Sequence, residues 1–404
     1  MELRRRAQRM IAEFWGDSYI FGSDALTSLD EEVRALGERP LVVGNVRFIG
    51  NKLQEYHIVP GTMPNTPIAD VDRLRSAILV SEPDCLVAVG GGSTIDGVKA
   101  AAAWAALGGD LEQYFGTGRV TQALEEASKK LLPIMAVQTV AGSGAHLTKY
   151  SNVTLANGQK KLMVDEALIP AVSMFDYSVT ATVPVETSLD GALDAMSHLI
   201  EVYFGAGQDH TQLAELVEVG LPLILRSAPR LRLDRTNSEV REELGLASDL
   251  GAMAIMLGGT NGPHLTSFSL VNLASHGRAC AILGPYYTAF FAQAITPQLR
   301  VVARILAEYD YLSPRAVALV GRELGQAVAE GMLAFLESLG YPTSLGELPG
   351  FTNSYIERAL QAAADPQLAM KLQNMPIPFR TEDIEKYMRP LLEAAVTGDL
   401  SLVP

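Results

Sequence analysis

The chain has 404 residues, 48% of them hydrophobic, with 35 glycines and 21 prolines, which is enough for two globular domains with cores of their own. Its formal net charge of −14 opposes sequence-independent binding to a phosphate backbone, so nucleic acid is not an expected partner. The two cysteines, Cys85 and Cys280, lie far apart in apolar runs, which argues against a disulfide framework or a thiolate metal cluster and fits a reducing, cytoplasmic compartment.

The basic N-terminus, MELRRRAQRMIAEFWG, lacks the apolar core and small-residue cleavage site of a signal peptide. The longest apolar runs are broken before the roughly 20 residues that span a bilayer, so no membrane association is expected. Residues 40–43 then read as a strand, 71–80 as a helix and 85–89 as a buried strand. An Ala-rich helix follows over 94–107, with further strands at 134–137 and 172–175. Strands separated by helices predict a mostly parallel sheet with crossover helices. Asn157-Gly158 marks a hairpin turn, and with it a small β-excursion between residues 151 and 171.

Beyond about residue 182 helical periodicity takes over, at 189–204, 212–227, 238–257, 297–309, 314–339 and 383–396. The reading is an α/β dinucleotide-binding domain over 1–182, joined near 178–186 to an all-α metal-binding domain over 183–404.

Within the first part, the run LVAVGGGSTIDGVKA (86–100) is a strand, a glycine turn and a helix. Such a turn brings backbone N–H groups close to an anion, and the helix start adds its positive dipole end. Ser93 or Thr94 is in position to cap that helix, with Asp96 in its first turn. A strand-to-helix turn with no ligand stays open as the alternative. A second small-residue turn, VQTVAGSGAHLT (137–148), follows the next strand. Two such turns on neighbouring strands converge at the carboxyl edge of a sheet and point to an extended phosphate ligand such as a dinucleotide.

In the second part, residues 189–204 read LDGALDAMSHLIEVYF. Asp194 and His198, four residues apart, share one face with Glu201, opposite an apolar face. A solvated polar stripe has the same pattern, so the helix by itself does not establish a site. His264 and His276, two of six histidines in the chain, fall in the otherwise apolar, Gly-flanked stretch 261–279. One carboxylate and three imidazoles form a donor set suited to Fe(II) or Zn(II), with positions left open for a substrate oxygen.

Together these features resemble the iron-containing (group III) alcohol dehydrogenases over nearly the whole chain. The family's GGGSxxD turn is similar to Gly90–Asp96, its TTAGTGSE turn to Gln138–His146, and its DALxHxxE helix to Asp194–Glu201. His264 and the His276-Gly277 pair match the remaining ligands, and Pro64-Asn65 matches a Pro-Asn that the family carries ahead of its phosphate turn.

The resemblance implies hydride transfer between NAD(P)H and a small alcohol or aldehyde. It makes Asp194, His198, His264 and His276 the metal ligands and catalytic residues. Gly91, Gly92, Ser93 and Asp96 would hold the pyrophosphate and nicotinamide ribose, with Thr139, Ser143 and Thr148 on the phosphate or adenosine part. Lys161, or Lys160, lies where the family has a lysine reaching the cofactor, although a solvated turn lysine is an equal reading. A homodimer is implied as well.

Three departures shape the expectation. Asn45 stands where the family often has an acidic residue for the adenosine ribose, and with Arg47 nearby this favours NADP(H) over NAD(H). His146 replaces the Glu that ends the second turn and need not be a ligand; with Phe268, Tyr286 and Tyr287 it either lines a partly aromatic pocket or, as is equally open for the aromatic residues, belongs to the ordinary core. Phe268 replaces a histidine often assigned to proton relay, leaving that work to a ribose hydroxyl or a water chain.

Rival readings are a metal- and NAD-dependent sugar-phosphate cyclase of the dehydroquinate-synthase type, a polyol dehydrogenase, and a non-catalytic nucleotide module with a structural metal. The cyclase needs basic residues around the metal, and the stretches 191–201 and 259–277 contain neither Lys nor Arg.

Overall fold

The structure, a computed structural model, describes residues 1–207 and 210–404 and divides into two compact units. One comprises Arg9–Pro184; the other comprises Met1–Gln8 with Val185–Pro404.

In the first unit, strands β1 (Tyr19–Phe21), β2 (Pro40–Gly44), β3 (His57–Val59), β4 (Cys85–Gly90), β5 (Gly116–Thr117), β6 (Ile134–Gln138), β7 (Tyr150–Thr154), β8 (Lys160–Val164) and β9 (Val172–Phe175) form two sheets. The larger is six-stranded, in the order β1-β9-β6-β4-β2-β3, and every pairing in it is parallel. Its centre is β4 and β6, buried at every position. That is why their sequences, CLVAVG and IMAVQ, run as continuous apolar stretches without alternation.

The excursion expected around Asn157-Gly158 is the antiparallel pair β7–β8, which β5 extends to a three-stranded sheet. Helices α1 (Glu2–Trp15), α2 (Leu29–Leu36), α3 (Ile68–Ser81), α4 (Gly92–Leu107) and α5 (Arg119–Ala127) complete this half of the chain. Ala-rich α4 packs its buried face on one side of the sheet, among Leu86, Ala88, Val98 and Ala101. The opposite side is covered by Leu29, Val33, Ile49 and Leu53.

The second unit is helical, with no strand among its described residues. It contains α6 (Val185–Gly205), α7 (Thr211–Leu233), α8 (Ser238–Leu257), α9 (Gly262–Ser267), α10 (His276–Phe291), α11 (Thr296–Glu308), α12 (Gly321–Ser338), α13 (Ser354–Ala363) and α14 (Ala369–Gln373), followed by short C-terminal helices. The expected helix over 314–339 is in fact a 3-10 turn at Pro314–Ala318 and then α12.

The domain boundary falls two residues later than expected, and the first eight residues belong with the helical unit. Arg4, on the polar side of α1, bridges to Glu239 and Glu242 of α8 at 2.9 and 3.2 Å, and Gln8 donates to Glu242. No described helix is long and apolar enough to cross a membrane.

α6 is the central element of the helical unit. It packs on α7, α8 and α10, and Leu189 to Phe204 are almost all buried. The polar face that carries Asp194, His198 and Glu201 is therefore enclosed by protein and is not a solvated stripe. Buried carboxylates and imidazoles are retained only where partners or a metal compensate for their desolvation.

Candidate active site

Four side chains converge from three helices of this unit. Asp194 and His198 come from α6, His264 from α9, and His276 from the first turn of α10. Asp194 Oδ1 lies 3.7 Å from His198 Nε2, 3.5 Å from His264 Nε2 and 3.8 Å from His276 Nε2. These separations are too long for hydrogen bonds. They match the ~3.4 Å spacing between donors that each stand about 2.1 Å from a common ion in tetrahedral geometry.

Asp194 Oδ1 and His264 Nε2 are buried without a hydrogen-bond partner among the described residues, as unfilled ligand atoms should be. The rings also fit one shell. His198 stacks on His264 with centroids 4.9 Å apart, and His276 meets His264 edge-on at 5.0 Å.

Outer contacts bear on which nitrogen two of the rings, His264 and His276, turn inward. Glu201 Oε1 is 2.6 Å from His264 Nδ1, so the ring turns Nε2 inward. The other oxygen, Oε2, accepts from the backbone N–H of Asn261 at 3.0 Å. This carboxylate–histidine pairing is how proteins orient and polarise metal-binding imidazoles. Ser267 Oγ lies 3.1 Å from His276 Nδ1.

Gly277, next to His276, is required by packing. A Cβ there would stand 2.1 Å from the Asp190 carbonyl oxygen and 2.8 Å from Asp194 Cβ, so the start of α10 rests directly on α6.

The electrostatics match a cation site. Burial resists ionisation of Asp194, but the charges of His198 and His276 and the contact with His264 outweigh it and hold the carboxyl well below its usual range. Burial drives His198 down to about 4 against the pull of Asp194, so it is neutral near pH 7 with a lone pair to give. His264 goes the other way. Burial works against its protonation, yet Cys280, Glu201 and Asp194 raise it well above the ordinary value. A cluster that concentrates negative charge on one imidazole is completed by a positive charge there, whether proton or metal.

Two nearby groups had escaped the sequence reading. Cys280 falls with Asp194, His264 and His276 in a set whose donor atoms all lie within 4.8 Å of one another; its only signal was the i+4 spacing from His276. Lys371, buried on α14, donates to Thr260 Oγ1 at 2.5 Å, so the metal neighbourhood is not free of basic residues once the chain has folded. Arg278, by contrast, is bound to Asp190 at 2.9 Å and lies over the Tyr341 ring.

In the α/β unit the two glycine turns are neighbours, as expected. β4 and β6 pair in register, Gly90 opposite Gln138, and Thr139 N donates to the Gly90 carbonyl at 3.0 Å. A Cβ on Gly92 would lie 2.6 Å from Ser143 Oγ, so the turns touch. The expected cap is not formed. Gly91 is the N-cap of α4, with no side-chain cap bond, which leaves the helix-start N–H groups to other acceptors. Ser93 Oγ accepts instead from Asn65 N at 3.1 Å, joining the Pro64-Asn65 turn to the glycine turn.

Asp96 lies past the first turn, buried, and accepts from the backbone and side-chain amides of Asn152. Lys99, fully buried, donates to the carbonyls of Ala145, Thr148 and Tyr150. Burial is the main cause that pushes it down to about 8, with Asp96 resisting. Lys160 and Lys161 are buried on β8, so neither is a solvated turn lysine.

Asn45 Oδ1 accepts from Arg47 N at 3.1 Å. Both residues line an open cavity of about 840 Å³ with Asn51 and Gln54.

His146 is a core residue and does not line a pocket. It has no exposed surface, stands 3.2 Å from the Tyr19 hydroxyl and packs edge-on against Phe175. Tyr286 is likewise core, its hydroxyl donating to the Thr343 carbonyl. Phe268 is placed as expected, its ring 6.0 Å from that of His276.

A parallel sheet with two adjoining glycine turns at its edge, and an Asp/His₃ cluster in a helical unit, are the parts that a metal-dependent enzyme of the nicotinamide class requires. A family model for the iron-containing alcohol dehydrogenases matches residues 17–177, and the model for the C-terminal part of the same family matches residues 188–392. The chain belongs to this family, and it is an alcohol/aldehyde oxidoreductase that works with a metal and a nicotinamide cofactor.

Among its relatives, long-chain-alcohol dehydrogenase 1 of Geobacillus thermodenitrificans is 26% identical over 94% of this chain and 95% of its own. The NAD-dependent methanol dehydrogenase of Bacillus methanolicus is 27% identical over 70% and 72%. An alcohol dehydrogenase from Oenococcus oeni shares the fold with a TM-score of 0.80 at 22% identity, covering 94% of this chain and 98% of that one. The NADH-dependent butanol dehydrogenase A of Thermotoga maritima does so with 0.78 at 24%, covering 94% and 96%. The cyclase alternative is not favoured.

Proposed function

We propose that Asp194, His198, His264 and His276 hold one Fe(II) ion, with Zn(II) the competing occupant, and that this site reduces small aldehydes or oxidises the matching alcohols. The observation that carries the reading is the convergence of three Nε2 atoms, two from buried rings and one from the half-buried His276, on Asp194 Oδ1 at 3.5–3.8 Å. When bound, the ion supplies Lewis acidity to the alcohol or carbonyl oxygen. Asp194 brings the compensating charge, and Glu201 keeps His264 turned so that Nε2 faces inward. Phe268 offers no exchangeable proton beside His276, so this side chain would take no part in moving the substrate's proton.

On the cofactor side, Gly91, Gly92 and Ser93 offer an uncapped helix start to the pyrophosphate, with Asp96 toward the ribose. Thr139, Ser143 and Thr148 support the phosphate or adenosine part. Lys161 reaches the cofactor only by leaving its buried place on β8, so it is the least supported of these assignments.

For the adenosine ribose two observations pull apart. Asn45 and Arg47 line a cavity with no acidic residue in its lining, which supports NADP(H). Relatives named as NAD-dependent or NADH-dependent support NAD(H). A kcat/KM ratio decides: a tenfold preference for NADH would sink the NADP(H) reading.

A homodimer in the cytoplasm completes the proposal. Both cysteines are free and buried, which suits a reducing compartment, and light scattering reads the oligomeric state. For the reaction itself, aldehyde reduction should be lost with a chelator and restored by Fe(II). Undiminished turnover in His264→Ala would overturn the ligand assignment.

A further inference from the structure

Two helices each bring a pair of donor side chains to the metal site. Asp194 and His198 are four residues apart on α6, and His276 and Cys280 are four residues apart on α10. That spacing puts both members of a pair on one side of their helix. The two helices are in direct contact, since a Cβ on Gly277 would stand 2.8 Å from Asp194 Cβ. Cys280 itself is in no disulfide and has no exposed surface.

The thiol is within reach of an ion held there. One donor atom each from Asp194, His264, His276 and Cys280 lies within 4.8 Å of the other three. In a tetrahedral shell with a Zn–S bond of about 2.3 Å and Zn–N bonds of about 2.1 Å, sulfur and nitrogen stand ~3.6 Å apart. The set therefore closes onto one ion with a shift of about 1 Å, and the thiol swings about a single side-chain bond. Two members already present atoms that call for an ion. Asp194 Oδ1 and His264 Nε2 are buried with no hydrogen-bond partner among the described residues.

Asp194, His264 and His276 are thus common to two four-donor sets. His198 completes one, of three nitrogens and an oxygen. Cys280 completes the other, of one sulfur, two nitrogens and an oxygen. The fourth donor changes which ion each set suits. Imidazole serves iron and zinc alike, whereas a thiolate selects softer ions, Zn(II) among them. We propose that the fourth ligand depends on the ion: Fe(II) takes His198, and thiophilic divalent ions such as Zn(II) take Cys280 in its place. This rests on the ligand reading above and deepens it, because the choice between iron and zinc becomes a choice between two coordination shells. The S–H bond breaks as the S–metal bond forms, its proton passes to water, and nothing is oxidised. With Asp194 and a thiolate both in the shell, two anionic donors cancel the charge of the ion. Less polarising power is then left for a substrate oxygen than with His198.

The test titrates the chelator-stripped full chain with Cd(II) as the thiophilic probe, because a cadmium–thiolate bond shows an ultraviolet charge-transfer band. Cys85, the other cysteine, lies on β4 in the first unit. One equivalent of Cd(II) should therefore raise the band in the wild type and in Cys85→Ala, but not in Cys280→Ser. Removing a direct ligand costs at least as much affinity as removing an outer partner, about 10–100-fold. The affinity for Cd(II) relative to Fe(II), measured anaerobically by competition, should accordingly fall at least tenfold in Cys280→Ser and rise at least tenfold in His198→Ala.

One Cd(II) bound without the band in the wild type, or a band that persists in Cys280→Ser, overturns the proposal. So does a relative affinity within threefold of wild type in either the Cys280 or the His198 variant. The wild-type band needs no substitution at Cys280, which covers the case in which that variant folds poorly. If the wild type binds both ions one to one and the band is absent, only this inference fails. If it binds neither, the ligand reading fails with it.

Discussion

Glu201 orients His264 at Nδ1, and Nε2 faces Asp194 Oδ1 at 3.5 Å. In the ligand set proposed above, its removal should therefore cost more than one donor. His264→Ala is expected to lose stoichiometric metal, measured by elemental analysis after gel filtration. Glu201→Gln keeps the shape but weakens the orientation and basicity of the ring, and a competing chelator should show metal affinity lowered by about 10–100-fold. Equal affinity in Glu201→Gln would mean that the hydrogen bond is only structural.

Lys99 gives a separate expectation at high pH. Its folded value of about 8 lies below the unfolded value of about 10.5, so between the two the unfolded chain binds more protons and stability rises with pH. Denaturant unfolding of wild type against Lys99→Met should show the difference moving in favour of wild type from pH 8 toward pH 10. A flat difference would mean that the buried ammonium keeps its proton throughout.

At the scale of elements, the site depends on how closely helices and turns approach. Gly277→Ala forces α10 away from α6, because the new methyl would meet the Asp190 carbonyl and Asp194 Cβ. Overpacking of this kind costs about 1–3 kcal/mol, and here it also separates His276 from Asp194. Thermal melting and metal content should fall together, whereas a drop in stability with full metal content would separate packing from ligation.

Much of the placement was legible beforehand, because the Asp194/His198 spacing on α6 and the His276-Gly277 pair point to side chains that the fold does bring together and to the close approach of α10 to α6. The alternation of strands and helices likewise foretold the parallel sheet, and the two glycine turns were expected to be neighbours, as they are. Other features were not legible, for reasons of distance and enclosure. Lys371 enters from α14, more than a hundred residues past His264 in the sequence, and no local pattern ties it to Thr260. His146 sits in a polar-looking turn, but Tyr19 and Phe175, distant in sequence, close over it. The cap of α4 was misassigned because Ser93 has a better use for its hydroxyl, as acceptor for the Asn65 N–H.

At the scale of the whole molecule, the glycine turns belong to one compact unit and the Asp/His₃ cluster to the other. A ligand that binds only the folded state stabilises it by mass action, by about 2.7 kcal/mol at a hundredfold excess over Kd. Metal removal should therefore lower the melting of the helical unit. The measurement that goes most directly to the central claim is an anaerobic titration of chelator-stripped protein with Fe(II), following metal bound and aldehyde-dependent NAD(P)H oxidation together. One ion per chain, with activity rising in proportion and neither seen in His264→Ala, is the predicted result. Full activity in the stripped protein, or one ion still bound and active in His264→Ala, would contradict it.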